Sequence, residues 1–254
     1  MPNHFTAIGF AADAKPDFIS LVDRAAREGQ RIPASRGYYR MWSPGEGVAL
    51  WVGMDKRTDE ILGCDPSFSG EGEMKLGLES FATDPPIYAG LEGGLSGWAN
   101  ASDESPDTGL CPVIIDLPAF DIERPRLRPG RVVRLQVSAF AHSLRCFDTD
   151  EAFFSAPGNT TPKGRRFSPE FFIPSGTFEQ PNRAHAVFAG HVQRALVKTN
   201  PVSRLQFHHI LVQTAAGLLD IVANPAVVQG RPVEAGVVSG EFWLSGRVVP
   251  SKLS

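Results

Sequence analysis

Residues 186–224, AVFAGHVQRALVKTNPVSRLQFHHILVQTAAGLLDIVAN, decide the fold. Three apolar runs, Ala186 to Thr199, Gln206 to Thr214 and Leu218 to Asn224, are separated by Asn200-Pro201 and by Ala215-Ala216-Gly217. Strand-forming runs punctuated by turn-forming residues predict a three-stranded antiparallel meander. The same period continues outward in both directions. In Val132 to His142, Val133, Leu135, Val137, Ala139 and Ala141 alternate with Arg134, Gln136, Ser138 and His142; in Val237 to Val249, Val238, Phe242, Leu244 and Val248 alternate with Ser239, Glu241, Trp243, Ser245 and Arg247. Period-two alternation gives each strand one core face and one polar face. Five such strands can close into a small barrel. From Cys146 to Arg183 the sequence predicts a long irregular connection carrying Lys163, Arg165, Arg166 and the aromatics Phe167, Phe171 and Phe172.

Toward the N-terminus the pattern changes. Phe5 to Phe10 reads as a short strand, and Lys15 to Glu28 places Phe18, Leu21, Val22, Ala25 and Ala26 at helical spacing, with Pro16 and Asp17 suited to the first turn and Gly29 to the stop. Tyr38 to Trp42 and Val48 to Met54 flank the turn residues Pro44 to Gly47, and Ile61 to Cys64 adds a further short strand. Pro66 to Asp107 is rich in Gly, Ser, Asp and Pro, with short apolar interruptions at Ile87 to Ala89 and Leu95 to Ala99; the glycines of Gly90 to Gly97 read as turn chemistry. Pro112 to Leu117 is a buried-strand candidate. The prolines and charges of Asp121 to Gly130 suggest a domain edge. The expected class is therefore α+β: a small N-terminal α/β-type module, then an antiparallel, barrel-like all-β domain, with the domains at 1–125 and 126–254.

Charge divides at the same place. Residues 1–123 carry 9 Lys+Arg against 20 Asp+Glu, a balance of −11, whereas the remainder carries 16 against 8, a balance of +8. A basic half attracts an anionic ligand, an acidic protein or single-stranded nucleic acid, or else the acidic half of its own chain. With 254 residues, 42% hydrophobic and 21% charged, the composition is that of a globular protein, which excludes a disordered or fibrous chain. No run approaches the roughly 18 apolar residues of a membrane helix, and Met1 to Phe10 reads as too short and polar-flanked for a signal peptide. A cytoplasmic protein without membrane contact is expected. Cys64, Cys111 and Cys146 are odd in number and widely spaced, so reduced thiols are expected rather than a disulfide framework. Nothing beside Cys64 would lower its pKa toward that of a nucleophile.

Two family resemblances follow from these elements. The strand-helix-strand-strand-strand order of residues 4–70, opening with His4-Phe5-Thr6, resembles one module of the glyoxalase-like (vicinal oxygen chelate) superfamily. That resemblance implies a metal-binding His4 on the first strand and a Glu on a later one, for which Glu60 is the acid near the fourth strand. A second module is not evident, so neither a metal nor a cofactor is expected. Residues 186–249 resemble an oligonucleotide- or oligosaccharide-binding (OB) barrel, with Gly190 bending a long first strand and Gly240 and Gly246 punctuating the last. It implies that Phe207, Trp243, Arg194, Lys198 and Arg247 could meet a single strand. Pro225 to Ala235 lacks the helix usual in that family.

No G-x-S-x-G, G-x-x-x-x-G-K-[ST] or H-E-x-x-H motif is present. The candidate ligand site is a barrel face carrying His191, His209, Asp220, Glu241, Trp243 and Arg247, with Asp220 orienting His191 or His209. His208 and His209 must point to opposite faces. The sequence favours a binding or interaction protein whose basic β domain meets an anionic ligand or partner, with a glyoxalase-like metal-dependent enzyme acting on a small molecule as the alternative. Enzymatic activity itself is left open.

Overall fold

A computed structural model of the chain describes residues 3–82, 91–160, 164–177 and 183–250. The chain is mostly β, in two sheets, one of them ring-like. The expected first strand is a helix instead. Helix α1 (His4–Ala7) forms because the Asn3 side chain accepts a hydrogen bond from the Phe5 amide at 2.9 Å, and Gly9, at φ 76°, turns the chain away. Its apolar residues are buried as a strand's would be. Helix α2 (Lys15–Glu28) is where its periodicity puts it, with Leu21, Val22 and Ala25 buried and Pro16 in the first turn.

Strands β1 (Gln30–Pro33), β2 (Gly37–Gly45), β3 (Val48–Asp55) and β4 (Ile61–Phe68) form a four-stranded antiparallel meander in that order. One face carries Tyr38, Leu50, Val52 and Met54 into a core shared with α1 and α2. The order over residues 4–70 is thus helix, helix, then four strands, which departs from the glyoxalase-like module at its first element. Ser69 to Glu73 then crosses to the second sheet.

That second sheet contains β5 (Met74–Ala82), β6 (Gly94–Ala99), β7 (Pro112–Asp116), β8 (Arg131–Phe147), β9 (Phe172–Pro174), β10 (His185–Thr199), β11 (Gln206–Thr214), β12 (Gly217–Ala223), β13 (Val228–Gln229) and β14 (Val237–Val248). Its spine is the long antiparallel pair β8–β14, from Val237↔Phe147 to Val248↔Leu135. On one side β12, β11 and β10 complete a five-strand ring; on the other β5, β6 and β7 lead back to β14 through Ser245↔Asp116. The expected antiparallel barrel is therefore mixed: β12 and β13 run parallel to β8, and β7 parallel to β14. Strands from both sides of residue 125 hydrogen-bond to one another, and the change of sheet falls between Phe68 and Met74. The interior is packed with inward-pointing Val137, Ala139, Ala141, Phe188, Ile210, Val212, Ile221, Phe242 and Leu244, which is the filled core of a small barrel.

One stretch expected to hold loops and short strands, and one expected to be irregular, contain regular structure. Gly94–Ala99 is strand β6, in which Gly97 has no room for a side chain because the carbonyl of Gly77 on β5 lies 2.1 Å from where its Cβ would be. The connection after β8 holds helix α4 (Asp150–Ser155), capped by Thr149, as well as β9. Between β7 and β8 a short helix α3 (Phe120–Glu123) buries Phe120. Ile87 to Ala89, Gly90 and Lys163 lie outside the described residues. The three cysteines are free thiols, and burial raises the pKa of each. Among the described residues no helix is long and apolar enough to cross a membrane.

Candidate metal centre

The outer faces of β8, β14 and β10 carry the polar half of the alternation read from the sequence. On β14 the odd-numbered residues Glu241, Trp243 and Arg247 point outward, on β8 the even-numbered Gln136, Ser138, Phe140 and His142, and on β12 Asp220 and Val222. The six nominated residues share this outward parity, but they belong to three separate groups.

His209 and Asp220 form the first. His209 Nε2 donates to Asp220 Oδ1 at 2.8 Å, with the residues 3% and 0% exposed. Asp220 also accepts from the amides of Glu71 (3.1 Å) and Gly72 (2.8 Å) and from Gln136 Nε2 (2.8 Å). Burial alone would raise the Asp220 pKa; those four donors outweigh it and hold it below the ordinary value. Arg247 joins this group through Nε to Gln136 Oε1, 3.0 Å. His191 forms the second group away from Asp220, between Glu170 (2.8 Å from Nδ1) and Asp150 (3.0 Å from Nε2). Burial would lower its pKa, and the two carboxylates raise it on balance.

Glu241 and Trp243 form the third group, with three histidines that join them only in space. His142 owes its position to a β-bulge. Glu241 pairs with Ser143 while the next residue, Phe242, pairs with Ala141, so His142 is the extra residue of β8 at that point. A bulge leaves one residue unpaired and re-aims its side chain, here along the outer face. His185 opens β10 opposite Trp243, two pairs along from Val187↔Glu241, so its side chain stands on the same face as Glu241. One ligand atom from each of His142, His185 and Glu241 lies within 4.8 Å of the other two. Atoms bound to one ion at about 2.0–2.2 Å are at most about 4.4 Å apart, so small rotamer adjustments would close the set.

His4 completes the wall. From α1 its ring stacks on Trp243, with centroids 4.2 Å apart and planes 4° apart, and its Nε2 is 2.9 Å from His142 Nε2. The His4 and His142 rings are also parallel within 4°, with centroids 5.2 Å apart. That separation exceeds the nitrogen distance by little more than two ring radii, so the imidazoles lie edge to edge and share a proton in an N–H···N hydrogen bond. No ion fits between nitrogens facing each other in this way. His4 therefore acts as the partner that fixes the tautomer and orientation of His142, a position occupied around metal-binding histidines by an outer hydrogen-bonding group. Burial, then His142 and His185, push the His4 pKa down to about 4. Burial also lowers His142 and His185, against the opposing effect of Glu241. Neutral imidazoles beside a carboxylate are the protonation state in which a divalent ion is bound.

Sequence reasoning singled out His4, Glu241 and Trp243 but missed His142 and His185. The one available signal was the place of His142 on the polar side of its alternating strand; nothing local announces the bulge. Glu60 lies away from this site, on the exposed β3–β4 turn, accepting from Thr58 Oγ1 at 3.1 Å. Of the residues assigned to a nucleic-acid face, Phe207 is fully buried and Trp243 is 6% exposed beneath His4. Arg194 is paired with Glu71, and Lys198 Nζ lies 3.5 Å from Glu46.

Comparisons of this chain with protein-family models, with characterised proteins and with solved structures return no match.

Proposed function

We propose that this protein binds a divalent transition-metal ion through His142, His185 and Glu241 and uses it to hold or activate a small molecule. The observation that carries this reading is the convergence of the three donors from strands far apart in sequence, at a bulge that aims one of them. Two imidazoles and one carboxylate suit a first-row ion of borderline softness. Three protein ligands leave coordination positions open, as in catalytic rather than structural sites. When bound, such an ion would supply Lewis acidity and a bound water of lowered pKa. The chain's own contribution is His4, which fixes the His142 tautomer, and Trp243, which forms the apolar floor beneath it.

The anionic-ligand reading has less support. Arg134–Glu73, Arg194–Glu71 and Lys198–Glu46 each join the basic second half to the acidic first half, so part of the charge division is met within the molecule.

Cobalt(II) titration of protein carrying no histidine tag, followed by its visible absorption and by competition with zinc, tests the proposal. One equivalent is expected, with affinity reduced at least about tenfold by His185→Ala and by Glu241→Gln and little altered by His208→Ala. Glu241 is exposed, so its substitution leaves the fold intact and keeps the test interpretable. Saturation well below one equivalent, or equal binding by Glu241→Gln and His185→Ala, would overturn it.

A further inference from the structure

His191 is held on both sides of its ring. In β10 it pairs with Val237 on β14 and with Gln213 on β11, both neutral. Its Nδ1 lies 2.8 Å from Glu170 Oε1, in the turn before β9, and its Nε2 lies 3.0 Å from Asp150 Oδ1, on the first residue of helix α4. A carboxylate only accepts hydrogen bonds, so both contacts are satisfied together by an imidazolium, which carries a proton on each nitrogen. A neutral imidazole keeps one N–H and turns a lone pair toward the other carboxylate. The side chain is 28% exposed, so its proton exchanges with solvent.

The two carboxylates belong to segments that cover a satellite of the core. Phe153 of α4 is fully buried in a cluster with Ala189 and Val237, against which Phe154, Phe167 and Phe171 of the same connection pack. The segments are not held equally. The turn before β9 is tied to the barrel by backbone, the Ala215 amide donating to the Glu170 carbonyl at 2.9 Å and the Ala189 amide to the Phe171 carbonyl at 3.0 Å. Among the described residues α4 makes no backbone hydrogen bond to a barrel strand; it is held there by burial of Phe153 and by the Asp150 carboxylate. The other charged groups on the surrounding elements do not compete for these contacts. Asp148 and Glu151 flank Asp150, Arg231 and Glu234 lie on the exposed segment before β14, and Arg165 is exposed, while Arg166 lies over the Phe154 ring and Arg194 is paired with Glu71.

We infer that His191 is a proton-operated latch on helix α4: as an imidazolium it fastens α4 and the turn before β9 to the barrel, and on losing its proton it keeps Glu170 and releases Asp150, so that α4 opens locally over Phe153. The remaining N–H stays with Glu170 because that contact is the shorter and its turn is fixed by the backbone; the Nε2 lone pair then repels the Asp150 carboxylate. Burial lowers the His191 pKa, and the two carboxylates together raise it above the ordinary value of 6.5. A group whose folded pKa is raised contributes fully below its unfolded value and loses that contribution as pH rises through the folded one. The latch is therefore closed below pH 6.5 and opens as the pH climbs through the raised value. Opening of this kind is local, leaving the barrel strands paired.

Hydrogen exchange of the whole chain, read by mass spectrometry on the peptide 148–156 from about pH 5.5 to 9 and normalised for the intrinsic rate, tests the inference alongside an NMR titration of the His191 ring. Protection of that peptide is expected to fall at least about fivefold, the effect of losing a charge-assisted hydrogen bond on a partly exposed group, with the midpoint of the ring titration. The peptide 206–214 of β11 is expected to keep its protection. His191→Gln should be poorly protected in 148–156 at every pH. Asp150→Asn should be well protected at every pH, because its amide accepts from an N–H or donates to a lone pair equally well. Protection that stays level across the ring titration, falls at a different midpoint, falls equally in β11, or falls as steeply in Asp150→Asn as in the wild type would overturn the inference.

Discussion

Asp220 shows how a single buried charge joins the two sheets. Its carboxylate takes up two amides of the segment crossing from β4 to β5, and that segment fits only because residue 70 is glycine, whose Cβ would lie 2.1 Å from the carboxyl carbon. Removing one partner of such a group leaves the others buried and unpaired, so Asp220→Ala is expected to cost about 3–5 kcal/mol in urea denaturation at neutral pH. The pH dependence follows from the sign of its shift. A carboxyl whose folded pKa is below its unfolded value contributes fully above the unfolded value of 3.8 and loses that contribution as pH falls through the folded pKa. Wild-type stability should therefore decline in that acid window, and Asp220→Ala should decline less. Asp65 has the opposite sign, since burial, then Glu92, then Asp116 raise its pKa. Its folded pKa of about 8 means that stability is lost as pH rises from its unfolded value of 3.8 toward 8, so Asp65→Asn is expected to stabilise the protein increasingly over that range. A thermal melting series from pH 5 to 9 that showed no growing difference would contradict this. His209 Nδ1 is buried without a hydrogen-bond partner among the described residues, and the structure supplies no account of it.

At the scale of elements, the reading was most secure where periodicity was long. Helix α2 has the predicted residues and buries the predicted side: Leu21 is 8% exposed, whereas Ile19, outside the apolar stripe, is 47% exposed. Leu21→Ala is accordingly expected to cost about 2–3 kcal/mol and Ile19→Ala less than about 0.5 kcal/mol, measured by denaturant midpoints. Helix α1 replaces the expected strand because six residues are too few to separate a buried turn of helix from a buried strand, and the deciding feature is the Asn3 cap just outside the run. Asn3→Ala removes that cap and is expected to cost about 0.5–2 kcal/mol. The bulge at His142 marks a different limit. Alternation correctly put His142 on the outer face, but which strand lies beside it, and with what slip of register, depends on β14, roughly a hundred residues later.

At the scale of the molecule, acidic and basic halves meet through exposed ion pairs, yet what joins them is strand pairing and a common core. Strands β5, β6 and β7 of the acidic half are hydrogen-bonded into the ring-like sheet of the basic half. Exposed pairs are each worth at most about 1 kcal/mol and are screened by salt. Raising sodium chloride from 0.05 to 1 M is therefore expected to change stability by no more than about 2 kcal/mol. Circular dichroism and tryptophan fluorescence should report one coincident unfolding transition. Two separated transitions would restore independent domains at 1–125 and 126–254.

By itself the sequence determined helix α2, the long strands β8, β10, β11, β12 and β14, and which face of each long strand is apolar. Those properties are local: side chains alternate with period two, and a helix repeats every 3.6 residues, whatever the neighbours are. Tertiary structure alone decided that His209 belongs to Asp220, that His191 does not, and that His4, His142 and His185 gather round Glu241. It also decided the parallel pairings and the setting of His191 between Glu170 and Asp150. These depend on which strands become neighbours and in what register, and that is set by the packing of the whole core, on which no short window of sequence reports.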